Sequence, residues 1–225
     1  MTISICTCLA DGRWDPSPSE PMNILHSCIE TRLAQLPVGL RDHIERARVV
    51  GRELAARHDV DADAIDVGIA AHDLARAMDD KALLDEAELL RIDVMPIERQ
   101  APILLHGPIA AVWLSRGCEP VDTRAIEAVR WHTTGHPDMD DVGKAVFLAD
   151  KLDPQKVEAL PYLTKVETLA SCDMDSAILE YLDREIEHLV GRGLVIHPAS
   201  VDLRNEIVVR RVRIDHARVN ESGEE

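Results

Sequence analysis

From Met22 to Asn205 apolar residues return every three or four positions, segment after segment. Nowhere do they alternate over a length that would make a strand. Ile24, Leu25, Cys28, Ile29 and Leu33 form one stripe, and Pro37-Val38-Gly39 breaks it before an amphipathic helix expected over about 41–58. Asp59, Asp61 and Asp63 offer N-caps for a helix carrying Ile65, Ile69 and Ala70. Asp79 or Asp80 starts another, around Leu83, Leu84, Leu89 and Leu90. Pro96 and Pro102 punctuate the way to a helix opening at His106-Gly107-Pro108. Pro120-Val121-Asp122 begins one that runs to Trp131, and after a Thr133–Asp138 loop the next ends at Asp150, broken by Asp153-Pro154. Helical patterns over about 157–170 and 175–190 and a helical tail past Pro198 complete the chain. Val208-Val209 is the best β-branched pair and is too short to count. The expected fold class is all-α. The expected organisation is an N-terminal leader over 1–21, turn-rich with Asp15-Pro16-Ser17-Pro18, one domain over 22–220, and a tail over 221–225.

The chain has 225 residues with a formal charge of −16, which opposes tracking a nucleic-acid backbone. A small anionic ligand stays compatible if a metal or local Arg and Lys supply positive charge. Five scattered cysteines, Cys6, Cys8, Cys28, Cys118 and Cys172, fit reduced thiols better than a disulfide framework. No run reaches about 18 apolar residues, so a membrane partner is not expected and the protein is read as cytoplasmic.

Within these helices sit ionisable residues that need partners. His72-Asp73 ends a small-residue run, Ile69-Ala70-Ala71, while His43 and Asp150 lie in apolar helical segments upstream and downstream. Two imidazoles and two carboxylates suit a divalent first-row ion better than calcium and leave coordination positions for water or substrate oxygen. Phosphoester or phosphoanhydride hydrolysis matches such an ion, since positioning and electrostatics supply most of that catalysis. Asp73 is at once a ligand and the candidate catalytic base. His106, before Gly107-Pro108, and His132, before Thr133-Thr134-Gly135, lie at segment edges; a second metal and contact with phosphate oxygens both stand open for them. Arg46 and Arg76 lie about one turn from His43 and His72, within reach of an anion at the metal.

His43…His72-Asp73…Asp150 resembles the HD-domain superfamily of metal-dependent phosphohydrolases. More narrowly, His72-Asp73-x-Ala75, Leu105-His106-Gly107-Pro108, His132-Thr133-Thr134-Gly135, Phe147-Leu148-Ala149-Asp150, Ile196-His197-Pro198 and Arg204-Asn205 are similar to the YqeK subfamily, in order, from about Pro37 to Asn205. The resemblance implies an HD-domain helical bundle that splits diadenosine tetraphosphate symmetrically into two ADP with a divalent metal, iron first, with manganese, cobalt or nickel as alternatives. Carried over position by position, it implies His43, His72, Asp73 and Asp150 as metal ligands. It puts Arg46, His106, His132, Thr133 and His197 at the nucleotide, with Arg76 and Lys156 as the cations beside it. Arg76 and Lys156 stand where that family usually has Lys and Arg, so charge is kept and reach is altered. His136 stands where it often has Arg. The implied partner is a small nucleotide, with a homodimer left open. Two other readings remain: a nucleotidase on a smaller nucleotide, and a non-hydrolytic nucleotide-binding HD protein.

Overall fold

A computed structural model describes residues 27–117 and 120–222. Among these there are twelve α-helices and no strand. The fold turns on α8 (Asp141–Lys151), which is buried along nine of its eleven residues, including Phe147, the chain's one phenylalanine. A helix apolar on every side must be surrounded. Around α8 stand α2 (Val38–His58), α3 (Ala62–Ala71), α7 (Thr123–Trp131) and α11 (Met174–Gly191). On the far side of α7 packs α6 (His106–Gly117), entered through a 3-10 turn, Pro102–Leu105, while α4 (Asp80–Leu90) covers that turn. Short α1 (Ser27–Leu33) leans on α3 and α6, α10 (Leu163–Ala170) hairpins onto α11, and α12 (Pro198–Ser222) follows α11.

With so few aromatic residues, the core is closed by bringing backbones together over small side chains: Ala70, Ala71, Ala110, Ala111, Ala125, Ala128, Ala145 and Ala149 are all essentially inaccessible. Three aspartates cap as their positions suggest: Asp61 at α3, Asp79 at α4 and Asp122 at α7 each accept amide hydrogens of the first turn. Elsewhere the boundaries differ. Asp153-Pro154 does more than end α8: Asp153 accepts from Gln155 N at 3.0 Å, and Pro154 opens a new helix, α9 (Pro154–Ala159). The segment expected over 157–170 is therefore two helices. Pro96 likewise opens a short α5 (Pro96–Gln100), where only punctuation was expected. Cys28 and Cys172 are each disulfide-bonded, against the expectation of reduced thiols. The expected leader, 1–21, and residues 223–225 of the expected tail lie outside the described residues. No described helix is long and apolar enough to cross a membrane.

Candidate metal centre

His43 projects from the second turn of α2, His72 and Asp73 follow the end of α3, and Asp150 lies in the last turn of α8. All four are buried. Their ligating atoms form a closed ring. His43 Nε2 lies 3.1 Å from Asp150 Oδ1 and 3.9 Å from Asp73 Oδ2, and His72 Nε2 lies 3.5 Å from Asp73 Oδ2 and 3.7 Å from Asp150 Oδ1. Ligands about 2.0–2.2 Å from one ion stand roughly 3–4 Å apart around it. The ring has that spacing, and His43, His72 and Asp150 form a group able to hold a metal.

The protonation pattern supports the same reading. His72 Nδ1 donates to Ile69 O at 2.6 Å, which turns Nε2 toward Asp73 and Asp150; against its burial, those two carboxylates raise the pKa of the ring. That Nε2 is buried and has no hydrogen-bond partner among the described residues. A buried nitrogen without a partner, facing two carboxylates, marks a place where positive charge is favoured. Burial alone would raise both carboxyls. His72 and His106 at Asp73, and Lys151 and Lys156 at Asp150, instead hold both well below the usual carboxylate range. Both are therefore anionic ligands at neutral pH.

Asp73 spans the site. Its Oδ2 faces the ring just described, while Oδ1 lies 3.2 Å from His106 Nε2 and 3.7 Å from His132 Nε2. Gly107 lets these two imidazoles meet, 2.9 Å apart at Nε2. Each has its Nδ1 on the carbonyl three residues back, Ile103 and Val129. Burial pushes His132 down to about 3, so its Nε2 keeps a lone pair toward His106 and Asp73. The Thr133 hydroxyl lies 3.0 Å from His132 Nε2 and 3.2 Å from His106 Nε2. Its loop turns at Gly135, where φ is +70° and a Cβ would stand 2.4 Å from Leu203 Cδ2, so only glycine fits. His72, Asp73 and His132 form a second group able to hold a metal.

The cations are placed unevenly. Lys156 Nζ sits on Asp150, 2.7 Å from Oδ1 and 2.8 Å from its carbonyl, and is partly exposed. Arg46 spends Nε and Nη2 on Asp153, at 2.7 and 2.8 Å. Arg76 is exposed, three residues past Asp73, and takes no part in the hydrogen bonds or ion pairs that join the cluster. His197 is buried apart from the ring: its Nδ1 accepts from Ala199 N, and its Nε2 points at Glu98 Oε1, 3.8 Å away. Three residues that the pattern reading passed over complete the site. Lys151, buried above the Phe147 ring, donates to Asp150 Oδ2 at 2.6 Å and to His132 O at 2.7 Å. Asp153 accepts from His43 Nδ1 at 2.7 Å. Buried Glu98 accepts from Met95 N at 2.8 Å. Asp153 had a signal: it follows Asp150 by three, as Arg46 follows His43, so two i, i+3 pairs face each other.

The described residues form a helical bundle that gathers two histidines and two aspartates from α2, the end of α3 and α8. The chain has the HD hydrolase fold: a solved structure from Clostridium acetobutylicum, described as a predicted HD superfamily hydrolase involved in NAD metabolism, matches with a TM-score of 0.76, covering 81% of this chain and 96% of that one at 19% identity. By sequence its likeness is to the YqeK-like set. The symmetrical bis(5'-nucleosyl)-tetraphosphatase of Halalkalibacterium halodurans is 27% identical over 71% of this chain and 83% of its own length. The protein of the same name from Bacillus subtilis is 25% identical over 69% and 82%. No family model matches the chain.

Proposed function

We propose that the chain is a metal-dependent phosphohydrolase that splits diadenosine tetraphosphate symmetrically into two ADP. The observation that carries the metal is the ring of His43, His72, Asp73 and Asp150 with its unpartnered Nε2. The substrate rests on the activity named for the relatives. A divalent ion in this ring supplies positive charge against phosphate oxygens and lowers the pKa of a water molecule. Iron is the first choice because the resemblance implies it; the same donors accept manganese, cobalt and nickel.

The chain's own groups then divide the work. Asp73, anionic and central, accepts the proton of the attacking water. Lys156, already beside Asp150 Oδ1, and Arg76 on the exposed side offset the charge of the phosphate chain. The Thr133 hydroxyl and the His106–His132 pair lie where phosphate oxygens are met, and His197 borders one nucleoside. Water adds to a β-phosphorus, the oxygen bridging the two β-phosphates leaves with the second ADP, and a proton returns to it. On this reading the enzyme works in the cytoplasm.

The test is chromatography of the products from protein loaded with Fe2+, Mn2+, Co2+ or Ni2+, run in isotopically heavy water. Two ADP, one of them labelled, are expected. ATP plus AMP would refute the symmetrical cut. Turnover of AMP or a deoxynucleoside triphosphate instead would favour the smaller-nucleotide reading, and no hydrolysis with any ion the non-hydrolytic binder.

A further inference from the structure

Four histidines crowd the centre, and three of them dispose of their Nδ1 protons in one way. His72 and His132 follow the last turns of α3 and α7, and His106 follows the 3-10 turn that enters α6. Each ring hydrogen-bonds the carbonyl three residues back. His43 does otherwise. It lies inside α2, where the carbonyls behind it are taken by the helix's own amides. Its Nδ1 turns instead to Asp153 Oδ2, 2.7 Å away, across to the start of α9.

An acceptor of full negative charge differs from a carbonyl. It binds the N–H more strongly and makes the opposite ring nitrogen a better electron donor. Asp153 is built for that use. Its side chain is 2% exposed, and four donors hold it: His43 Nδ1, Arg46 Nε and Nη2, and Gln155 N. A carboxylate so buried is stable only when every oxygen is engaged. Arg46 presents the planar, two-pronged contact that fixes a carboxylate's orientation. The opposed pairs make one unit: Asp150 Oδ1 lies 3.1 Å from His43 Nε2, and Asp153 holds the other side of the same ring.

We propose that Asp153 is a positioning residue that sets the proton and the aim of His43, and that Arg46 clamps Asp153 rather than contacting nucleotide. The proposal rests on the metal reading above, in which His43 Nε2 is a ligand. It adds an outer carboxylate to that site, reached through α9, and removes one cation from the substrate's account.

The experiment uses full-length protein stripped of metal and titrated with Co2+ alone, without nucleotide, by calorimetry and visible absorption. Asp153→Asn keeps the shape of the side chain; it is expected to weaken Co2+ binding by about 10–100-fold and to alter the absorption bands. Arg46→Met should weaken binding in the same direction, and the double variant should bind no more weakly than Asp153→Asn, because the clamp acts only through the carboxylate. Wild-type Co2+ affinity in Asp153→Asn would overturn the proposal. So would an Arg46→Met variant with unchanged Co2+ affinity and a raised KM for diadenosine tetraphosphate. Nitrogen-edited NMR of the wild-type protein needs no variant to fold: a proton is expected on His43 Nδ1, and a bare Nδ1 is equally fatal. Failure of the wild type to bind Co2+ would instead sink the metal reading itself, so the two failures are distinguishable.

Discussion

Glu53 and Lys151 show two outcomes of burying a charge. Lys151 is paired: burial lowers its pKa, yet Asp150 and the His132 carbonyl take its hydrogens, and the ammonium ties α8 to the end of α7. Glu53, on α2, keeps one carboxyl oxygen buried without a hydrogen-bond partner among the described residues. Burial, reinforced by Glu167 and opposed by Arg57 and Arg52, lifts its pKa to about 7. The folded protein therefore holds a proton there that the unfolded chain releases near its ordinary value of about 4.3. Stability from this group is present at low pH, falls as pH rises through about 4.3 to 7, and is lost above that. Glu53→Gln should remove the dependence. Its melting temperature should exceed that of the wild type by about 2–4 °C at pH 8, equivalent to roughly 1 kcal/mol after discounting for solvent screening, and differ little at pH 5. Equal shifts at both pH values would show that the proton plays no part.

At the scale of helices, the site depends on how closely axes approach. A Cβ at Gly107 would stand 2.9 Å from Arg130 O, 3.0 Å from Val129 O and 3.2 Å from His132 Cε1. Two of these atoms are backbone and cannot turn aside. Gly107→Ala should force α6 away from α7 and part His106 from His132, costing about 1–3 kcal/mol in stability and tenfold or more in kcat/KM. Wild-type kinetics in that variant would mean the pair need not touch. Gly107 was legible as part of a Leu-His-Gly-Pro run, and its contact with α7 was not, because a close approach depends on the partner helix. The same distinction runs through the molecule. Helical periodicity and aspartate caps disclosed α2, α3, α4, α7 and α8, since those signals are local. Helices α5 and α9 were hidden because a proline that stops one helix can open another, and the sequence around it reads alike either way. The convergence of His43, His72, Asp73 and Asp150 was legible because ionisable residues in apolar helices demand partners. Lys151 and Asp153, their neighbours by one to three positions, passed as ordinary charges. What each of them touches, His132 O and His43 Nδ1, comes from helices distant in sequence.

Across the whole molecule, the cluster gathers side chains from α2, the end of α3, α6, the end of α7 and α8. An ion held by the ring would join α2 and the end of α3 to α8. It binds the folded chain and not the unfolded one, in which these residues are scattered, so it must raise stability by mass action. An excess of about 1,000 times the dissociation constant corresponds to about 4 kcal/mol. For a domain of this size that amounts to roughly 8–16 °C in melting temperature. The formal charge of −16 offers a competing explanation, since diffuse Mn2+ at an acidic surface also relieves repulsion. Salt separates the two. At about 0.3 M NaCl exposed charges are largely screened, whereas buried ligands are screened much less. The expected result is that Mn2+ still raises the melting temperature over chelator-treated protein in 0.3 M NaCl, and that His72→Ala, which removes the orphaned Nε2, loses most of that rise. A rise that salt abolishes, or that His72→Ala retains in full, would assign the effect to the surface and leave the ring of His43, His72, Asp73 and Asp150 without its ion.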